Sequence, residues 1–175
     1  MFPLLISGRS KRPPKVSYIQ KRYLEKVNRN SGREYISKTG TARLAKQIRK
    51  PCSDCKLNCA SRITESERNQ LFREYYLLGD INLQWQWIAR RIERTTPKHR
   101  HRSGLTTRRQ NVFHYNFIIN GNKERVCKLF FLNTLAISNN ATNTALKKCD
   151  EFGTLLENDL RGFRSKTFSK IDENK

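Results

Sequence analysis

Residues 51–59 read Pro-Cys-Ser-Asp-Cys-Lys-Leu-Asn-Cys and bring Cys52, Cys55 and Cys59, three of the chain's five cysteines, close together. Two thiolates separated by two residues can bind one metal ion from a single tight turn. A third can return to the same ion from the first turn of a following helix. A closed structural zinc site has four ligands. The stretch therefore predicts three ligands of a zinc site around which the rest of the chain folds.

The fourth ligand must come from elsewhere in the chain. Cys127, at the end of a predicted strand, is the first candidate and would join the two halves of the protein; His114 follows, and then His99 or His101. The alternatives to zinc are reduced cysteines that act as small buried hydrophobes, or a disulfide. A disulfide is disfavoured because the number of cysteines is odd. Cys149 follows two lysines at a predicted helix end and is interpreted as a spare thiol.

The charge of the chain is a second strong signal. The 175 residues include 36 Lys and Arg against 15 Asp and Glu, which gives a formal net charge of +21. A compact fold with this charge repels itself and calls for a polyanionic partner, by default nucleic acid and less readily a membrane surface. The apolar run over residues 1–6 is too short for a signal peptide, and no run approaches membrane-spanning length. We therefore expect an intracellular protein with no membrane partner.

Residues 1–50 are dense in Lys and Arg, are interrupted by Pro and Gly, and contain only two glutamates. This composition is typical of a largely disordered basic arm, with one helix near residues 18–27. Such an arm binds phosphates through charge and is nearly blind to sequence. The pairs Lys11-Arg12 and Lys21-Arg22 also fit a loose nuclear import signal, and we expect the protein in the nucleus.

Residues 51–162 are predicted to form a single small zinc-stabilised domain, followed by a tail over residues 163–175. Its parts are a helical hairpin (64–93), a basic loop (94–111), a β-hairpin (112–127) and a helix pair (128–149).

Capping signals define the helical hairpin. Thr64 and Glu67 form a capping box that starts the first helix, Gly79 ends it in a left-handed cap, and Asp80 caps the second helix. The apolar positions are Leu71, Phe72, Tyr75 and Leu78 in the first helix and Leu83, Trp87, Ile88 and Ile92 in the second. Trp85 is expected to one side of the second stripe. The aromatic residues are interpreted as core rather than as platforms for base stacking.

The next segment combines a basic run with a hairpin signal. The run is interpreted as an exposed loop that contacts phosphates, with a solvated linker as the alternative. Its candidate binding residues are Arg90, Arg91, Lys98, Arg100, Arg102, Arg108 and Arg109. Residues 112–119 are rich in β-formers, Asn120-Gly121 is a strong turn signal, and residues 123–127 can return as the partner strand that delivers Cys127.

Residues 128–149 have the layout of a helix-turn-helix. A first helix over 128–135 is followed by a small residue at the turn, a Ser cap and a second helix with small and apolar inward positions. An ordinary helix pair in the core is the alternative. The second helix would present to phosphates or base edges the residues Asn139, Asn140, Asn143, Thr144, Lys147 and Lys148.

The common catalytic patterns are missing. The chain has no glycine-rich phosphate loop, no His-Glu-x-x-His and no Ser or Cys nucleophile with a recognisable base beside it. The few acidic residues are assigned to helix starts or to the surface. We therefore expect a protein that is not an enzyme.

Several linked motifs run along residues 31–175. They are Gly32-Arg33-Glu34-Tyr35 with Lys38-Thr39-Gly40, the Cys52/Cys55/Cys59 cluster, Glu67-Arg68, Phe72-x-x-Tyr75-Tyr76-x-Leu78-Gly79-Asp80, Val126-Cys127-Lys128-x-Phe130-Phe131-Leu132-x-Thr134-Leu135-x-Ile137 and Asp159-x-Arg161-Gly162. In combination they resemble the N-terminal region of a large group of insect proteins that are transposon-derived and transposase-like. Departures are Ser53-Asp54 inside the first cysteine pair, Ala136 where Gly is usual, and a less basic sequence from Phe163 onward.

This resemblance implies a zinc-stabilised, DNA-binding region that precedes a catalytic region in longer relatives. The chain stops before such a region, so transposition chemistry is not implied for it.

These features predict a mainly α fold with one small β-hairpin, stabilised by zinc, with a helix-turn-helix in the C-terminal half and a disordered basic N-terminal arm. The expected function is non-enzymatic, zinc-dependent binding of double-stranded DNA. One rival is a sequence-independent RNA binder. The other is a protein-interaction fragment that docks through Tyr75, Tyr76, Trp85 and Trp87.

Overall fold

The structure, a computed structural model, describes residues 18–97 and 111–161. The described residues form a mixed α/β fold with six helices and two small antiparallel sheets. The helices are α1 (Tyr18–Asn30), α2 (Cys59–Arg62), α3 (Glu65–Leu77), α4 (Ile81–Ala89), α5 (Lys128–Thr134) and α6 (Asn139–Lys148). The strands are β1 (Tyr35–Ile36), β2 (Ala42–Arg43), β3 (Ile92–Thr95), β4 (Val112–Ile119) and β5 (Asn122–Val126).

The capping signals of the helical hairpin are confirmed. Thr64 and Glu67 form the predicted capping box at the start of α3. Gly79 has a φ of 61°, the left-handed conformation that ends a helix. The Asp80 carboxylate accepts hydrogen bonds from the backbone of Asn82 and Leu83 at the start of α4. Local residue chemistry therefore sets the bounds of both helices.

The predicted apolar stripe of α4 is wrong at Leu83 and at Trp85, whereas Ile88 and Ile92 are buried as predicted. Leu83 is 48% exposed, whereas Trp85 is 5% exposed and lies in the core with Ile88 and Ala89. The inward face is fixed by packing of α4 against α6, a helix that lies more than 50 residues away in sequence. Trp87 is half-buried and its ring lies 5.4 Å from that of Tyr75, which confirms these aromatics as part of the core.

The β-hairpin of residues 112–127 is confirmed as β4 and β5, but the sheet has a third strand. Asn120 and Gly121 both have positive φ, 50° and 80°, as a tight hairpin turn requires. Strand β3 pairs with β4 on its other side, with Ile92 opposite Tyr115. The expectations of a single hairpin, of a helical hairpin reaching 93 and of a loop starting at 94 are therefore corrected. Residues 98–110 of that loop lie outside the described residues.

The core packs one face of the three-stranded sheet against α5. Phe117 on β4 stacks on Phe131 with ring centroids 4.9 Å apart, and Tyr115 contacts the same ring at 5.3 Å. Phe130, Phe131 and Leu135 are buried in this core, whereas Leu129 is exposed.

The helix expected near residues 18–27 is confirmed as α1, whereas the expectation of a largely disordered arm is wrong for the rest of residues 18–50. Residues 18–50 form α1 and the β1–β2 hairpin and then run along the domain. The Gln84 side chain donates to the carbonyl of Asn30 at 2.7 Å, and the backbone N–H of Lys46 donates to the carbonyl of Gly32 at 2.7 Å. Polar contacts of this kind help to order a segment whose apolar side chains are mostly exposed or half-buried. Residues 1–17 lie outside the described residues.

Gly153 gives a test of packing between the C-terminal segment and α4. It has a φ of 76°, and an added Cβ would lie 2.3 Å from Cγ and 2.9 Å from the backbone nitrogen of Arg90. We expect Gly153→Ala to lower the free energy of unfolding by about 2–3 kcal/mol, because a left-handed alanine costs about 1–2 kcal/mol and the clash adds to it. Gly121→Ala is the matched control, because Gly121 has a φ of 80° and an added Cβ would meet nothing within 4 Å. Equal losses in urea unfolding of both variants would contradict the predicted clash.

Candidate metal centre and nucleic-acid surface

The backbone of residues 52–59 is shaped to bring its thiols together. Asp54 and Asn58, the residues before Cys55 and Cys59, have φ values of 46° and 45°. Asp and Asn adopt this left-handed conformation more readily than most residues. The two reversals fold the segment back on itself, and α2 then begins at Cys59.

The predicted ligand set converges on one point. The sulfur atoms of Cys52, Cys55, Cys59 and Cys127 all lie within 4.8 Å of one another, and those of Cys55 and Cys59 are 3.4 Å apart. Metal–sulfur bonds of about 2.3 Å place the corners of a tetrahedron roughly 3.8 Å apart, so the cluster has the size that a tetrahedral ion needs. These four cysteines could hold a metal ion.

Cys127 therefore stands where the fourth ligand was predicted, and the histidine alternatives find no support among the described residues. The ring of His114 lies 3.1 Å from the hydroxyl of Thr95 and 2.7 Å from the guanidinium of Arg125. His99 and His101 lie outside the described residues. Cys149 is buried outside the cluster, as predicted for a spare thiol, and burial raises the pKa of its thiol.

Backbone N–H groups point at the sulfur atoms. The N–H of Cys127 lies 3.2 Å from Sγ of Cys59, and the N–H of Phe130 lies 3.3 Å from Sγ of Cys127. The N–H of Cys59 and a bond from the Cys52 side chain lower the pKa of Cys55 to about 6, whereas burial raises the pKa of Cys52 and of Cys59. Hydrogen bonds to thiolates are what a metal–thiolate centre needs from its surroundings.

The centre joins two distant parts of the chain. Cys127 is the N-cap of α5, and its side chain accepts the bond from Phe130 that starts this helix. Close by, Arg62 of α2 pairs with Glu124 of β5 at 2.8 Å and also donates to the carbonyl of Arg125. The position of α5 thus depends on the cysteine cluster.

The turn between α5 and α6 is held by side chains from other elements. The hydroxyl of Tyr76 donates to the carbonyl of Leu135 at 3.0 Å. The guanidinium of Arg49 donates to the carbonyls of Ala136 and Ile137 at 3.4 Å each. Ala136 has a φ of 50°, at the place where Gly was named as the usual residue. The start of α6 is therefore fixed relative to α5.

The residues predicted to read DNA lie mostly on one exposed face of α6. Asn139, Asn140, Asn143 and Lys147 are exposed, and their side chains make no hydrogen bond to another described residue. Two other candidates are engaged within the protein: the hydroxyl of Thr144 donates to the carbonyl of Asn140, and Lys148 pairs with Glu157. Thr142 and Ala145 face inward.

The basic residues before the 98–110 segment differ in their surroundings. Arg90 is exposed. The guanidinium of Arg91 lies 3.5 Å from the centre of the Trp87 ring and donates to the Trp87 carbonyl, and burial lowers the pKa of Arg91 to about 10. Arg91 therefore serves packing and is a poor phosphate ligand. The remaining candidates, which are Lys98, Arg100, Arg102, Arg108 and Arg109, lie outside the described residues.

The sequence did not reveal a groove beside α6. Arg94 and Phe113 on adjacent strands, Asn143 and Lys147 on α6, and Phe152 in the following turn line it together. The turn that contains Phe152 does have a local sequence signal. The Asp150 carboxylate caps this turn by accepting hydrogen bonds from the backbone N–H groups of Phe152 and Thr154. No local pattern, however, indicates that this turn meets strand β3.

Comparison with protein-family models, with curated proteins and with solved structures finds no match to this chain. The resemblance to transposase-like insect proteins therefore stays a prediction. Across residues 18–97 and 111–161, every helix is too short or too polar to cross a membrane.

Proposed function

We propose that the chain is a non-enzymatic, zinc-dependent DNA-binding protein of the nucleus, in which α5 and α6 act as a helix-turn-helix and α6 enters a major groove. The observation that carries the proposal is the exposed face of α6. It presents three asparagines and a lysine, Asn139, Asn140, Asn143 and Lys147, on a chain with a net charge of +21. Asparagine can bond two atoms of adenine, and lysine can bond phosphate or guanine.

Zinc is the metal that best fits the centre. A donor set of four thiolates in a tetrahedral arrangement suits zinc or iron–sulfur chemistry, and zinc with four cysteines is the common structural case. Cys52, Cys55, Cys59 and Cys127 would hold it. The ion would join α2 to α5 and so place α6.

The ordered segment of residues 18–50 supports a polyanionic partner. It carries ten Lys and Arg against two Glu. The segment ends at Lys50, whose carbonyl accepts from the side chain of Asn133 in α5, so its positive charge continues up to the helix pair. Cations beside a groove-reading helix neutralise the flanking phosphates.

Three observations weigh against a protein-interaction fragment, a nuclease and an RNA binder. Tyr75 and Trp85 are buried, which leaves little of the predicted aromatic docking surface. Among the described residues, the four cysteines form the only group of three or more His, Cys, Asp or Glu able to hold a metal ion, so a carboxylate-based nuclease centre has no support there. The motifs shared with transposase-like proteins favour DNA over RNA.

The proposal predicts that Lys147 contacts a phosphate. A duplex enriched from a random library should bind Lys147→Ala about fivefold more weakly at about 0.15 M salt, with a log–log salt slope smaller by about 1, because one phosphate contact contributes about that much. Fluorescence anisotropy between about 50 and 200 mM salt measures both quantities.

Arg73→Ala is the matched control, because Arg73 is an exposed cation on α3 that forms no ion pair with another described residue. Its loss should change affinity by less than about twofold, since only the overall field changes. Equal losses in the two variants, no enriched sequence, and equal binding of RNA would together favour the sequence-independent nucleic-acid binder instead.

A further inference from the structure

The groove beside α6 is large and open. Strand β3 forms one wall, and Asn143, Leu146 and Lys147 of α6 form another. Its volume is about 1030 Å³, at the upper end of the usual range for ligand sites. Strand β3 is an edge strand of the described sheet, so its outer backbone groups are available to a ligand. The groove therefore has room for an extended ligand.

Two exposed aromatic rings line this groove. Phe113 lies on the same face of β4 as the core residues Tyr115 and Phe117, because alternate residues of a strand share a face. Unlike them it is 39% exposed. Phe152 is 76% exposed on the adjacent turn. Such rings can stack on the flat face of an unpaired base, whereas bases inside a duplex are already stacked on one another.

Three cations line the same groove. Arg90, Arg94 and Lys147 contribute to its walls, and no ion pair is formed by their side chains with another described residue. Arg94 lies directly opposite Phe113 across the β3–β4 pair, so a cation and a ring stand side by side.

The carboxylates of the groove are largely engaged. Glu93 pairs with Lys123. The Asp150 carboxylate accepts from two backbone N–H groups of its own turn. Glu151 forms no ion pair with another described residue. Together with Lys123, which neutralises Glu93, four cations stand against three carboxylates, so the groove has a weak positive excess that is compatible with a nucleic-acid strand.

We propose that this groove binds an unpaired stretch of nucleic-acid strand that continues from the duplex read by α6. The inference rests on the proposed function for the duplex part. Phosphates lie along Arg90, Arg94 and Lys147, and bases stack on Phe113 and Phe152. Because Lys147 and Asn143 belong both to the exposed face of α6 and to the groove wall, a strand that leaves the duplex enters the groove directly.

The test compares a blunt duplex with the same duplex carrying an unpaired thymidine extension on one strand, using the full zinc-loaded chain and fluorescence anisotropy. We expect the extension to tighten binding about tenfold, which is the effect of stacking about one base. Phe152→Ala should remove most of this gain, with the remainder supplied by Phe113 and the cations, and should leave the affinity for the blunt duplex unchanged. The matched control is Tyr23→Ala, which removes an exposed aromatic ring from α1 and should keep the gain.

An extension that adds no affinity would overturn the inference and leave the proposed function standing. A gain that survives Phe152→Ala in full would also overturn it, since the extra phosphates alone would then explain the effect. If Phe152→Ala weakens the binding of an acidic peptide and the extension has no effect on duplex binding, the groove would be assigned to a protein partner. If the blunt duplex fails to bind but the extended duplex binds in a way that depends on Phe152, the proposed duplex binding would be overturned. The proposal that the groove binds an unpaired strand would then be supported.

Discussion

Cys127→Ser is expected to abolish binding of the proposed zinc ion and, with it, the cooperative folding of the chain. Zinc binding to structural cysteine sites contributes roughly 10 kcal/mol or more of apparent folding free energy, which exceeds the stability of most domains. The loss should be this large because Cys127 links the 52–59 turn to the start of α5. Metal content by mass spectrometry and thermal unfolding by circular dichroism measure the two effects.

Cys149→Ser is the matched control for the cysteine prediction. Cys149 is as buried as Cys52 but lies outside the cluster, so this variant should keep one zinc per chain and a cooperative transition. Cobalt(II) titration distinguishes loss of the site from a general folding failure, because a tetrahedral thiolate site has a characteristic absorption. Full zinc retention in Cys127→Ser would show that another residue is the fourth ligand. Iron in the wild-type protein would show that the metal is iron and not zinc. A metal-free wild-type protein would refute the metal centre.

The features that could be predicted from sequence depend on a few neighbouring residues. The spacing of Cys52, Cys55 and Cys59 indicates a metal-binding turn because the three thiols meet through chain reversals that lie between them, at Asp54 and Asn58. The Thr64 cap and the turn that follows Asn120 are equally local. The prediction of Cys127 as the fourth ligand required the hairpin as well. The tight turn returns β5 beside β4, and the helix signal that follows places Cys127 at the start of a helix.

The features that could not be predicted depend on partners distant in sequence. Leu83 and Trp85 exchange roles because α6, and not the periodicity of α4 itself, decides which face is covered. Strand β3 has only one buried residue, Ile92, so its sequence lacks the alternation that indicates a strand. The order of residues 18–50 depends on single bonds, such as that from Gln84 to Asn30, which no composition predicts.

The same distinction between local and distant partners applies to the candidate DNA-reading surface. Helical periodicity alone placed Asn139, Asn143 and Lys147 on one face of α6, and all three are exposed. The groove beside them required a strand end and a turn that meet only in the folded chain. The exposed face of a helix can thus be predicted from a sequence, whereas a groove built between elements cannot.

Arg68→Met is expected to lower the free energy of unfolding by about 3 kcal/mol. Arg68 is 1% exposed, and its guanidinium donates to Thr134 Oγ1 at 3.0 Å, to the carbonyl of Arg49 at 2.6 Å and to Glu65 at 2.6 Å. Methionine keeps much of the volume over the Phe130 ring but leaves a buried hydroxyl and a part-buried carbonyl without a donor, at about 1–3 kcal/mol each. Urea unfolding of the zinc-loaded chain measures the loss.

Loss of Arg68 should also increase local opening away from α3, because this residue forms hydrogen bonds with α5 and with the end of the basic segment. Hydrogen exchange of the amides near Arg49 should become faster in Arg68→Met, since the arginine holds the end of the basic segment against α3 and α5. Arg73→Met, on the exposed face of the same helix, should change stability by less than about 0.5 kcal/mol. Adding Thr134→Val to Arg68→Met should recover part of the loss by removing the unpaired hydroxyl. A neutral Arg68→Met with unchanged exchange would show that packing on Phe130, and not the hydrogen bonds, is what Arg68 contributes.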